Sequence, residues 1–106
     1  MILVSSSHIP HKRIVKSLGL VEGNTIRARN VGRDIVAVFK NLVGGEIEEY
    51  TKLLAQAREQ ALDRMIASAE ELGANAVICV RFSTSYIMQN AAEVLVYGTA
   101  VHVEDI

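Results

Sequence analysis

The stretch EIEEYTKLLAQAREQALDRMIASAEEL, residues 46–72, decides the reading of this chain, because it spells one unbroken helix too long for so small a protein to use alone. At about 1.5 Å per residue it runs roughly 40 Å. A compact chain of 106 residues has a radius of gyration near ~13 Å, so its diameter only matches this one element. Gly44 and Gly45 precede the stretch and Gly73 follows it, which suits a break at the start and a left-handed cap at the end. Glu46, Glu48 and Glu49 fill the first turn, where carboxylates meet the positive end of the helix dipole. At 100° per residue, Ile47, Tyr50, Leu54, Ala57, Ala61, Leu62, Met65, Ala69 and Leu72 share one stripe, with Glu49, Lys52, Gln56, Glu59, Asp63 and Glu70 opposite. Leu53 and Ile66 widen the apolar surface beyond what one small sheet covers. A core completed by further copies of the chain is the expectation.

On either side of the helix the pattern turns to strands. Ile2–Ser5 reads as a short first strand, followed by a polar turn through His8 and Pro10. Arg13–Leu20 and Asn24–Ala28 read as strand segments interrupted at Gly19 and Gly23, where bulges or bends are expected. Within residues 33–42, Ile35, Val38, Phe39 and Leu42 keep helical spacing, so a short helix is expected before the long one. Ala76–Thr84 alternates Ile78, Val80 and Phe82 against Val77, Cys79 and Arg81. Ser85–Ala91 reads as a polar loop, and Glu93–Val103 as the last strand, apolar on both faces. The fold class is α+β: one domain, residues 1–106, with a small antiparallel sheet against one long helix plus a short one.

Composition narrows the function classes. Half of the residues are hydrophobic and mean hydropathy is +0.24, which excludes a disordered chain. The apolar start is too brief for a secretory leader, and no run approaches the ~18 apolar residues of a membrane helix. A cytoplasmic protein is expected. Net charge is −1, but residues 1–45 carry +5 and residues 46–106 carry −6. The basic part either packs near the acidic helix face or offers Arg27, Arg29 and Arg33 as an anion-binding surface.

Sites for chemistry are sparse. His8 and His11 lie three apart, but Pro10 opposes a helix between them and no third ligand stands near. Cys79 sits alone in an apolar strand, which suits a packed small side chain better than a nucleophile, and rules out an intramolecular disulfide. Gly44-Gly45 lacks the spacing and Lys-Ser/Thr ending of a phosphate loop. Three histidines near the chain ends assemble no catalytic triad. No enzyme is expected. Arg58 falls near the centre of the apolar stripe, and Arg81 on the strand face of Cys79; as buried cations both would need partners, with Asp34 and Glu93 the candidates. Structural ion pairs are the first reading and a small anionic ligand the second.

Several fragments together carry a family resemblance: residues 18–25 (LGLVEGNT), Gly32-Arg33-Asp34, Val43-Gly44-Gly45-Glu46 leading to Tyr50, residues 57–62 (AREQAL), residues 72–77 (LGANAV), Val80-Arg81-Phe82 and residues 97–101 (YGTAV). The sequence resembles the YbjQ family over nearly its whole length, an uncharacterised family with a heavy-metal-binding label. The resemblance implies a dodecin-like subunit that assembles as a pentameric ring or a multiple of one. It also implies, as the alternative function, a metal site shared between subunits. Soft-metal binding wants clustered thiolates or imidazoles, whereas Cys79 stands where relatives often have a small residue such as Gly, and Ser83 where they often have an acid. The reading is a non-catalytic oligomer that binds a small ligand or acts as a scaffold, with Arg27, Arg29, Arg33, Arg58 and Arg81 as the candidate ligand residues and no metal ligand assigned.

Overall fold

The computed structural model describes residues 1–28, 46–88 and 91–106. In chain order these form β1 (Ile2–Leu3), β2 (Lys12–Ala28), α1 (Glu46–Glu71), β3 (Ala76–Met88) and β4 (Ala91–Asp105). The sheet has the order β1-β3-β4-β2. β2 and β3 both run antiparallel to β4, while β1 lies parallel to β3, so the sheet is mixed rather than purely antiparallel. The short helix expected within residues 33–42 lies outside the described residues.

α1 occupies the expected range and ends as the sequence requires. Gly73 takes a φ of 84°, a left-handed conformation that costs a glycine little. Its amide donates to the Glu70 carbonyl, and the next amide, of Ala74, reaches back to Ala69 at 3.0 Å. These two bonds satisfy carbonyls that the helix end would otherwise leave open. Ala74 itself is buried, which closes the cap with an apolar contact.

The buried line of α1 is Ala57, Ala61, Met65 and Ala69, each four residues from the last and each without exposed surface. Four residues turn a helix about 40° past a full circle, so such a row winds around the axis. This winding corrects the reading of Arg58, which is exposed. It falls inside the stripe averaged over the whole helix, yet about 100° from Ala57, the residue that touches the sheet at that turn. Leu72 is exposed for a related reason: it lies beyond the last turn that rests on the sheet.

Gly23 is where helix and sheet meet most closely. A Cβ placed there would overlap the Ala61 carbonyl oxygen and lie 2.5 Å from the Met65 amide nitrogen. Gly23 therefore marks a backbone-to-backbone approach and not a bend; β2 runs through it in unbroken register with Val96. The irregularities of β2 fall earlier, between Ile14 and Lys16 and between Ser17 and Gly19, where Gly19 has a φ of 112°.

β3 departs from strict alternation. Its register with β4 passes from Ile78 opposite Thr99 to Arg81 opposite Tyr97, so one extra residue is accommodated at Cys79–Val80. Cys79 has a φ of 55°, the left-handed conformation found in one type of bulge, where glycine is the usual residue. Beyond it the faces exchange. Phe82 shares the side of Val77 and Val96, while Arg81 shares the side of Ile78 and Tyr97. The expected grouping of Ile78, Val80 and Phe82 therefore fails. β3 also continues through Ser85 to Met88, paired with Ala91–Glu93, where a polar loop was expected.

Two apolar clusters result. The larger lies between α1 and the sheet and includes Val21, Ala61, Met65, Val77, Val94 and Val96. The smaller lies on the opposite side, where Ile2, Val4 and Ile9 close over Ala76, Ile78, Val101 and Val103.

Candidate functional site

Of the five candidate arginines, Arg58 and Arg81 have described side chains, one on α1 and the other on β3. Arg27 stands near the end of β2, its backbone opposite Ala92, and Arg29 and Arg33 lie outside the described residues. Arg58 projects from α1 into solvent. Arg81 donates through Nη1 to the carbonyl oxygens of Ser5 at 2.7 Å and Val80 at 2.9 Å, and so ties the N-terminal segment to β3. Among the described residues Glu93 pairs with neither arginine and instead accepts from Asn24 at 3.4 Å, while Asp34, the other expected partner, is outside the described residues. Charged pairs occur instead at the far end of the sheet, as Lys12–Asp105 and Arg13–Glu104. The Lys12 ammonium holds the Asp105 carboxyl below its ordinary value, through a hydrogen bond and its charge.

Sequence reasoning missed Arg64, which donates to the Asn24 carbonyl and clamps α1 to β2. Its position on the polar side of α1 gave no signal, because its acceptor is backbone. Thr25 was missed too. Its hydroxyl is buried on the helix side of the sheet with no hydrogen-bond partner among the described residues.

A soft metal ion can be tested against the donors directly. All three histidines, His8, His11 and His102, and the one cysteine lie among the described residues. Among those residues no three His, Cys, Asp or Glu side chains come together, whereas zinc takes three or four protein ligands. Cys79 packs against the smaller apolar cluster. The residues outside this set, 29–45 and 89–90, hold neither thiol nor imidazole. The donors of one chain therefore do not fit a soft-metal site.

What the molecule does offer is bare apolar surface. α1 packs on β2 and β4, leaving Phe82 at 48% and Tyr86 at 78% exposure on the same side of the sheet. On the other side Leu20 and Ile26 of β2 are 70% and 58% exposed. No helix among the described residues is long and apolar enough to cross a membrane.

Against known families, residues 1–104 match the YbjQ family model, described as "Putative heavy-metal-binding". The chain belongs to the YbjQ family. It is 60% identical over 104 residues to a UPF0145 protein of Dehalococcoides mccartyi, a match covering 98% of this chain and 100% of that one. It is 54% identical over 101 residues to a UPF0145 protein of Archaeoglobus fulgidus, covering 95% and 94%. A crystal structure from Pediococcus pentosaceus, of a DUF74 family protein of unknown function, superposes with a TM-score of 0.69 over 98% of both chains at 16% identity. That likeness supports the same small α+β fold. Nothing in the relatives' names points to catalysis.

Proposed function

We propose that this YbjQ protein is a non-catalytic homo-oligomer, a pentameric ring or a multiple of one, that works in the cytoplasm as a scaffold or small-ligand binder. The observation that carries the reading is the partly covered sheet: among the described residues α1 packs on β2, β4 and the Val77 end of β3, while Phe82 and Tyr86 further along β3 stay 48% and 78% exposed. At that exposure, these two aromatic side chains forgo only part of the roughly 1.5 to 3 kcal/mol that full burial of such a side chain contributes, and a neighbouring copy would recover that part. The chain's proportions support the reading. Its radius of gyration is 17.4 Å and its extents are 56 × 21 × 16 Å, against the ~13 Å of a self-contained globule of this length.

A ring repeats each basic residue once per subunit, so Arg27, Arg29 and Arg33 would gather positive potential near one axis and suit a small phosphate or carboxylate ligand. Light scattering on untagged protein tests the assembly: a mass near five times 11.6 kDa, or a multiple, is expected, and a stable monomer refutes it. Thermal shift with inorganic phosphate at low salt tests the ligand. Saturable stabilisation, lost in Arg27→Ala or Arg33→Ala while the mass persists, is expected. An unmoved melting temperature makes those arginines structural.

A further inference from the structure

Among the described residues, the side of the sheet turned away from α1 is covered at one end by the N-terminal segment and open at the other. The open part consists of three rows, each crossing β3, β4 and β2 in turn. They read Arg81–Tyr97–Glu22, Ser83–Leu95–Asn24 and Ser85–Glu93–Ile26. The β2 and β3 members of every row are exposed, while Leu95 and Glu93 on the middle strand are half-buried. Tyr97 and Leu95 thus make an apolar centre along β4. The first row ends in a cation on β3 and an anion on β2, with Tyr97 midway between them.

We propose that this face docks on the same face of a second copy, about a two-fold axis running parallel to β4. The inference rests on the homo-oligomer proposed above and names one of its contacts. Rotation about such an axis lays β3 of one copy over β2 of the other. Arg81 then meets Glu22 of the partner subunit, and the symmetry makes the same pair a second time. Tyr97 and Leu95 meet their own copies along the axis, across the ~10 Å that separates stacked sheets. An apolar centre with charged ends is the usual anatomy of a specific contact. A two-fold across the strands would serve less well, since it sets Tyr97 over Glu93 and Glu22 over Ile26 and matches neither charge. The unfavourable element of the chosen axis is the approach of two Glu93 carboxylates, each of which already accepts from its own Asn24.

The footprint is about 14 by 17 Å, from three strands ~4.8 Å apart and five residues along each. That is well under the ~800 Å² each partner gives to a free-standing interface. The contact therefore joins copies that other surfaces already assemble.

Charge reversal tests it in trans. Glu22→Arg sets arginine against Arg81 of the partner subunit, and Arg81→Glu sets glutamate against Glu22 of the partner subunit. Each variant alone is expected to halve the wild-type mass in light scattering at low salt, with an unchanged far-ultraviolet circular dichroism spectrum. An equimolar mixture of the two restores opposite charges at both contacts and is expected to recover the full mass. Loss of the Arg81 bond to Ser5 cannot be repaired by mixing, so recovery separates docking from local damage. Two results overturn the inference: single variants that keep the wild-type mass, or a mixture that fails to recover it. A monomeric wild type would refute the assembly itself, which distinguishes the two failures.

Discussion

The two halves of the sheet's helix side are built to opposite specifications. Over β2 and β4 the fit is so close that a glycine is required: at Gly23 the strand backbone touches the helix backbone, and Ala57, Ala61 and Ala69 keep the helix low. Beyond the bulge of β3 the same side carries Phe82 and Tyr86, with little above them among the described residues. A region closed at backbone distance has no room to adapt, whereas large exposed aromatics need a partner of matching shape. The difference separates what this chain completes within itself from what it leaves to other copies.

The largest expected effect breaks the closed half. Gly23→Val adds atoms where even a Cβ has no room, so α1 cannot seat; loss of the cooperative thermal transition is the expected readout. An intact transition would mean that helix and strand are not in contact. Met65→Ala removes the largest fully buried side chain of α1 and should lower stability by roughly 2 to 5 kcal/mol in chemical denaturation, the range for a core cavity. Cys79→Gly acts at the bulge, outside the helix contact. It relieves a left-handed residue and should raise stability by about 1 kcal/mol, less whatever the half-buried thiol contributes by packing. A destabilised Cys79→Gly would show that the thiol's packing outweighs its backbone strain.

The smallest effect belongs to Lys12–Asp105. Because the folded Asp105 carboxyl is held below its ordinary value, its contribution is complete above the ordinary carboxylate range and fades as pH falls through the folded pKa. The pair sits at a strand end with Asp105 84% exposed, so the contribution is slight. Asp105→Asn should leave the melting temperature at neutral pH nearly unchanged and remove only a shallow part of its acid dependence. A large drop at neutral pH would place that end of the sheet in an interface.

How much could be read in advance follows from the range of each interaction. α1 and its Gly73 cap were legible because caps and periodicity act within a few residues. The two-sided apolar character of β4 was legible for the same reason. The bulge at Cys79 was not, since nothing local marks a cysteine for positive φ; it shows only in the pairing, where β3 fits one extra residue between the partners of Thr99 and Tyr97. Ser85 looked like the start of a polar loop, yet pairing of Ser85, Tyr86 and Met88 with Glu93, Ala92 and Ala91 carries the strand through it. Gly23 announced itself only as a breaker, because its reason for being glycine lies on α1 nearly forty residues away. The candidate site was less legible still. Arg81 binds backbone carbonyls, which no pattern of acidic residues foretells, and Arg58 was misplaced by averaging a winding contact line over the whole helix.

The central claim is that other copies cover the bare part of β3, its outer edge as well as Phe82 and Tyr86, and hydrogen exchange on a peptide spanning Arg81–Tyr86 tests it most directly. β4 covers one edge of this segment and no described strand covers the other beyond Val80. At micromolar concentration the account predicts slow exchange throughout the peptide, with protection falling on dilution as the assembly dissociates. Fast exchange at half of these amides, independent of concentration, would mean that the outer edge of β3 faces water in the working protein and would contradict the account.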